Sequence, residues 1–140
     1  MMCRKMDPTF YRLCAVKTAM KTVYAEATAY VTKDGSQIRE LMHPAQHANL
    51  GSRAQSFAEA IVAPGTQTQL HRHRVTEELY HITQGAGRMT LGEQQFDVAA
   101  GDTICIAPGV AHCIACVGEV PLKILCACAP AYSHDDTELL

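Results

Sequence analysis

No stretch of the 140-residue chain reaches eighteen uncharged apolar residues, so no membrane span is expected. There is no basic excess either: 12 Lys and Arg stand against 14 Asp and Glu, a formal charge of −2 at pH 7. A nucleic-acid partner is therefore not expected, because binding phosphates without sequence preference needs a positive surface. The first twenty residues lack the long apolar core of a secretory signal. Their one apolar stretch, 10–15, is broken by Arg12. Residues 1–20 carry Arg4, Lys5, Arg12 and Lys17 against the single acid Asp7. They read as an irregular N-terminal arm, with Met20 an alternative start and an organellar transit peptide the weaker reading. An even cysteine count is also missing: the seven are Cys3, Cys14, Cys105, Cys113, Cys116, Cys126 and Cys128. Without an export signal they predict free thiols and a cytoplasmic location. No internal repeat, low-complexity tract or sustained helical periodicity is present.

What the chain does have is 48% hydrophobic and only 19% charged residues, enough to bury the core of one domain. Short apolar and β-branched runs recur at 23–32, 37–43, 55–62, 69–73, 78–83, 87–91, 94–98, 103–106, 112–117 and 122–128. Between them stand Lys33-Asp34-Gly35, Pro64-Gly65, Gln84-Gly85, Gly92-Glu93, Ala100-Gly101-Asp102 and Pro108-Gly109, which are turn formers. The segment 44–53 reads as a loop or one helical turn. Many short strands predict an all-β fold, closed as a barrel or a two-sheet jelly roll, with room inside for one small ligand. The barrel is assigned to 21–130 and a solvated C-terminal tail to 131–140.

The chemistry concentrates between Gly65 and Gly85. His71 and His73 lie two apart, so on a strand both imidazoles point to one face and Arg72 to the other. Glu78 opens the next strand with a carboxylate, sharing its face with Tyr80 and Ile82, while Leu79 and His81 face away. After the turn at Pro108-Gly109, His112 opens a strand and brings a third imidazole. Three imidazoles and one carboxylate suit one divalent transition metal (Fe, Mn, Zn, Ni, Co or Cu) better than Ca or Mg, which prefer oxygen shells.

These residues resemble the two motifs of the cupin superfamily. The first motif is Gly, five residues, His-x-His, three or four residues, Glu, six residues, Gly. Gly65, His71, His73, Glu78 and Gly85 match it. Glu77 meets the shorter spacing, but only Glu78 lies six residues before Gly85. The second motif is Gly, five residues, Pro-x-Gly, two residues, His, three residues, Asn, and is met by Gly101, Gly109 and His112, with Pro108 next to the proline position. Ala107 stands in place of its first proline and Cys116 in place of its asparagine; neither is a ligand position. The motifs span about residues 65–116 and imply a small single-domain cupin, a double-stranded β-helix or jelly-roll barrel, with metal on His71, His73, Glu78 and His112.

Other signals are weaker. Cys113 and Cys116, three apart on one strand, point to opposite faces, which disfavours a zinc pair. Cys126 and Cys128 share a face and read as small buried hydrophobes. Met89, Ile104, Ile106, Ile114, Leu122 and Ile124 read as barrel lining. Tyr80, inside and beside the metal, is the candidate catalytic residue, a proton donor to substrate. Gln67, Gln69, Arg72, Arg74 and Arg88 read as solvated, as do His134, Asp135 and Asp136 in the tail.

The resemblance implies several chemistries, since one scaffold hosts many. The leading expectation is a metal-dependent enzyme acting on a small polar or carboxylated molecule, dioxygenase-like or lyase- and decarboxylase-like. An isomerase or epimerase for sugar phosphates, like phosphomannose isomerase, is the alternative, and no phosphate clamp facing the metal is found for it. The third reading is a non-catalytic small-molecule binding or sensor protein. Exposed edge strands at 23–43 predict a homodimer.

Overall fold

A computed structural model describes residues 20–140, so the expected arm lies outside the described residues except for Met20. The strands are β1 (Ala29–Val31), β2 (Gln37–Met42), β3 (Ser56–Val62), β4 (His71–His73), β5 (Glu77–Gln84), β6 (Ala86–Leu91), β7 (Gln94–Ala99), β8 (Thr103–Ile106), β9 (His112–Val117), β10 (Leu122–Ala129) and β11 (Thr137–Leu139). They form two antiparallel sheets, ordered β1-β2-β3-β10-β5-β8 and β11-β4-β9-β6-β7. This is the all-β jelly-roll barrel that the sequence predicts. Among the described residues no helix is long and apolar enough to cross a membrane.

Burial alternates along β3, β5, β9 and β10, as strands with one inward face require. Tyr80, Ile82, Met89, Ile104, Ile106, Ile114, Leu122 and Ile124 all enter the core between the sheets. Ala58 and Ala60 face inward on β3, beside Cys126 and Ile124 of β10. Their small side chains leave the interior unfilled there, and a cavity of about 40 Å3 remains.

Two elements differ from expectation. The run 23–32 is not one strand: a 3-10 turn at Tyr24–Glu26 precedes β1. None of those three residues is buried, so no inward face holds them extended. The tail expected in solvent instead adds β11 to the sheet edge, pairing Thr137 with His73, Glu138 with Arg72 and Leu139 with His71. Backbone pairing to β4, an Arg72–Glu138 ion pair at 2.8 Å and the burial of Asp136 and Thr137 hold it there. The segment 44–53 contains a second 3-10 turn, Ala48–Leu50.

Candidate metal centre

β4 carries His71 and His73 inward and Arg72 outward. His112 opens β9 directly opposite His71 in register, which brings the two ring centroids to 4.1 Å. Glu78 faces inward on β5, whereas Glu77 is exposed, so the longer motif spacing marks the buried carboxylate. One donor atom from each of His71, His73, Glu78 and His112 lies within 4.8 Å of the others, and all four residues are buried. The connection between β4 and β5 is held by Asp136, whose carboxylate accepts the Val75 N–H at 3.0 Å and the Thr76 N–H at 3.1 Å. Desolvation raises the Asp136 carboxyl, but the Thr76 side chain and the Thr76 and Val75 N–H groups outweigh it and hold it below its ordinary range.

The outer ring nitrogens fix how the imidazoles are protonated. His71 Nδ1 lies 2.8 Å from the Gln69 carbonyl, and His112 Nδ1 lies 3.0 Å from the Val110 carbonyl. A carbonyl only accepts, so both Nδ1 atoms carry the proton. His73 Nδ1 meets the Thr137 hydroxyl at 3.0 Å, and that hydroxyl donates to the Ser133 carbonyl at 2.9 Å. Its proton is thus committed, and His73 Nδ1 also donates. In neutral rings all three Nε2 lone pairs then point inward, the arrangement typical of metal-ligating histidines.

These lone pairs converge on an anion. Glu78 Oε2 lies 3.0 Å from His73 Nε2 and 3.5 Å from His112 Nε2. His112 is 0% exposed, and its Nε2 has no hydrogen-bond partner. Acceptors facing acceptors in a buried site call for a cation between them, and three nitrogens with one carboxylate fit a divalent transition metal. Burial and the neighbouring His112 push the His71 pKa below its ordinary value. Burial raises that of Glu78, but the facing His112 and His73 rings, once they take up a proton on Nε2, outweigh it and bring the carboxyl to about 2. Its other oxygen, Oε1, accepts a weak bond from the Cys128 thiol at 3.4 Å. Desolvation, with Glu78 nearby, drives that thiol upward.

Tyr80 follows Glu78 on the inner face of β5, its ring edge-on to His112 at 6.0 Å. Burial and then the Glu78 charge raise its phenol well above the ordinary value, so the hydroxyl stays protonated. Tyr132 also borders the cavity, edge-on to His73 at 5.9 Å. Several residues read as peripheral are indeed so placed. Gln67, Gln69 and Arg74 are exposed, and Arg88 pairs outward with Asp97 at 2.8 Å. Cys116 is buried and Cys113 half-buried on the other face of β9, while Cys126 and Cys128 both point inward. All five cysteines of the described residues are free thiols.

The sequence reading passed over four residues that touch this site. Asp34 reads in the sequence as part of a turn, yet it is buried with Oδ2 3.9 Å from His71 Nε2. Glu40 lines the cavity from β2. Asp136 and Thr137 belong to the segment taken for a solvated tail. A signal existed for Glu40: it continues the inward parity of Ile38 on an amphipathic strand.

The family model for the cupin domain matches residues 58–128. An uncharacterized protein of Methanocaldococcus jannaschii is 51% identical over 121 residues, covering 86% of this chain and 94% of its own. An oxalate-binding protein of Thermotoga maritima is 28% identical over 86 residues, covering 61% of this chain and 71% of its own. Among solved structures, oxalate decarboxylase from Bacillus subtilis superposes with a TM-score of 0.74 at 21% identity, over 88% of this chain. This chain spans only 32% of that one, so the likeness concerns the barrel alone. A family model covering half the chain, together with the antiparallel two-sheet barrel, places the protein in the cupin domain family.

Proposed function

We propose that His71, His73, Glu78 and His112 hold one divalent transition metal, and that the protein is a metal-dependent enzyme acting on a small, oxygen-rich molecule. The observation that carries this is the set of three Nδ1 hydrogen bonds, which turn three Nε2 lone pairs onto one buried carboxylate. When bound, the metal would supply Lewis-acid polarisation of a ligand oxygen, the chemistry of a lyase or decarboxylase. The chain's own groups would do the rest. Tyr80, neutral and facing the cavity, would donate a hydrogen bond to that ligand, which suits its raised pKa better than giving up a proton. Ala58 and Ala60 would leave it space, and the packed core would exclude bulk water. The relatives named for binding or decarboxylating oxalate support a small ligand. A dioxygenase gains no residue-level support beyond the ligand set. A sugar phosphate is disfavoured because none of the described residues that line the cavity is Lys or Arg and its volume is about 40 Å3. The free thiols support a reducing, cytoplasmic setting.

The test is elemental analysis of untagged protein beside His71→Ala and His112→Ala. Near-stoichiometric metal, lost in both variants, is the expected result; iron would direct assays to O2 uptake, manganese, nickel or zinc to lyase and decarboxylase substrates. No metal after reconstitution refutes the site. Stoichiometric metal without turnover across small oxygenated substrates favours a binding or sensor protein.

A further inference from the structure

The cavity beside the four donors has an acidic wall supplied by the first two strands. Asp34 sits on the β1–β2 turn, where its Oδ1 meets the Thr32 hydroxyl at 2.6 Å, the Ser36 hydroxyl at 2.8 Å and the Ser36 N–H at 3.1 Å. Its Oδ2 is left over, 3.9 Å from His71 Nε2. Glu40, on β2, is only 4% exposed. The Tyr30 hydroxyl donates to its Oε1 at 2.8 Å, and its Oε2 is buried with no hydrogen-bond partner. A buried acceptor left without a donor is costly and calls for an explanation. Here Glu40 Oε2 is such an oxygen, on a residue that lines the cavity together with Asp34.

No Lys or Arg among the described residues of the wall offsets them. Among the described residues that line the cavity there are three carboxylates, Asp34, Glu40 and Glu78, and no Lys or Arg. Nearby cations are engaged elsewhere: Lys33 with the His134 and Thr137 carbonyls, Arg39 with the Ala27 carbonyl, Arg72 with Glu138. Three carboxylates outnumber the charge of one divalent ion. A carboxylate ligand would add negative charge to that surplus in a site of low dielectric. A neutral ligand with O–H donors would instead satisfy the spare oxygens. The volume of about 40 Å3 limits it to the space of roughly three water molecules.

We infer that the cavity selects a small neutral ligand with vicinal oxygens, at least one of them a hydroxyl, such as an α-hydroxy ketone or a vicinal diol, and discriminates against carboxylates. Asp34 Oδ2 and Glu40 Oε2 accept its hydroxyl protons or set the charge that excludes anions. This rests on the metal site proposed above and narrows its substrate class away from oxalate-like dianions.

Hydroxyacetone and glycolate make the test, because they match in size and differ chiefly in an uncharged acetyl against a carboxylate. Both are titrated calorimetrically into metal-loaded protein, with metal content measured before and after. Hydroxyacetone is expected to bind at least tenfold more tightly than glycolate. Glu40→Gln and Asp34→Asn should each reduce that ratio at least threefold, and Glu40→Gln serves alone if the turn carrying Asp34 fails to fold. Glycolate binding as tightly as hydroxyacetone, a ratio unmoved in the folded variants, or no binding of either to protein carrying stoichiometric metal overturns the inference and leaves the metal site standing. A wild-type protein that takes up no metal overturns both.

Discussion

The Thr137 hydroxyl stands 3.0 Å from His73 Nδ1 and passes its own proton to the Ser133 carbonyl, so the C-terminal strand dictates which nitrogen of His73 faces inward. Groups that orient a ligating histidine typically account for 10–100-fold in metal affinity. Thr137→Val, which keeps the shape and deletes the acceptor, is expected to weaken metal binding by about that factor. Competition with a chelator measures it. Thr137→Ser, which restores the hydroxyl, should recover most of the loss; a valine variant with unchanged affinity would show that packing alone holds the ring.

Acidification should destabilise the metal-free protein, and the direction follows from two shifts. Burial and His112 hold the folded His71 below its ordinary value of 6.5, so below that pH the unfolded chain takes up a proton that the folded one refuses. Glu78 falls from 4.5 to about 2 in the folded state, so its contribution is complete above pH 4.5 and drains away as pH drops toward 2. Both groups therefore favour folding at neutral pH. Thermal unfolding of chelator-treated protein should show a falling midpoint from pH 7 downward, and Glu78→Gln should flatten the limb below pH 4.5. Metal-loaded protein should fall more steeply, since protons also compete for the ligands.

Why the four candidate donors were legible and their supports were not comes down to range. His71, His73 and Glu78 lie on consecutive strands, and period-two alternation alone sets their faces. His112 follows a Pro-Gly turn that announces the start of β9. The supporting contacts join distant segments: Thr137 reaches His73 across 64 positions, and Cys128 reaches Glu78 across 50. β11 has three residues, too few for any pattern, and it exists only because β4 offers an open edge. Asp34 read as a turn residue because it is one; its second role depends on the Asp34 carbonyl accepting the Gln69 N–H at 2.7 Å, which docks that turn beside β4.

The glycine that ends the first motif has a structural reason. Gly85 adopts φ +83, and a Cβ there would stand 2.9 Å from the Pro121 carbonyl oxygen and 3.2 Å from Leu122 Cα. Gly101 has a similar φ of +99, but nothing lies within 4 Å of its Cβ position. Gly85→Ala should therefore cost more than about 2 kcal/mol, from the disfavoured backbone plus the clash, and Gly101→Ala only about 1–2 kcal/mol. Urea unfolding of the two variants separates these terms. Equal losses would mean that the β5–β6 turn relaxes away from Pro121.

The open edge of β1 leads to an association state. Among the described residues β1 pairs only with β2 and ends the six-stranded sheet, leaving Ala29–Val31 with one backbone side that no other described strand takes up, and Val31 is 68% exposed. An unprotected edge of this kind recruits another strand, and two copies related by a two-fold axis would pair antiparallel. We propose a homodimer joined at β1. Light scattering after size exclusion should give twice the mass of one chain, and Val31→Lys should shift it to the monomer by placing a charge on the edge. Phe57 and Leu79 provide the contrast, since both lie exposed on the outer face of the same sheet, in register with Ala127 between them. If Leu79→Lys dissociates the dimer and Val31→Lys does not, the copies pack through that face and the edge pairing is wrong. A monomer mass at every concentration refutes both arrangements.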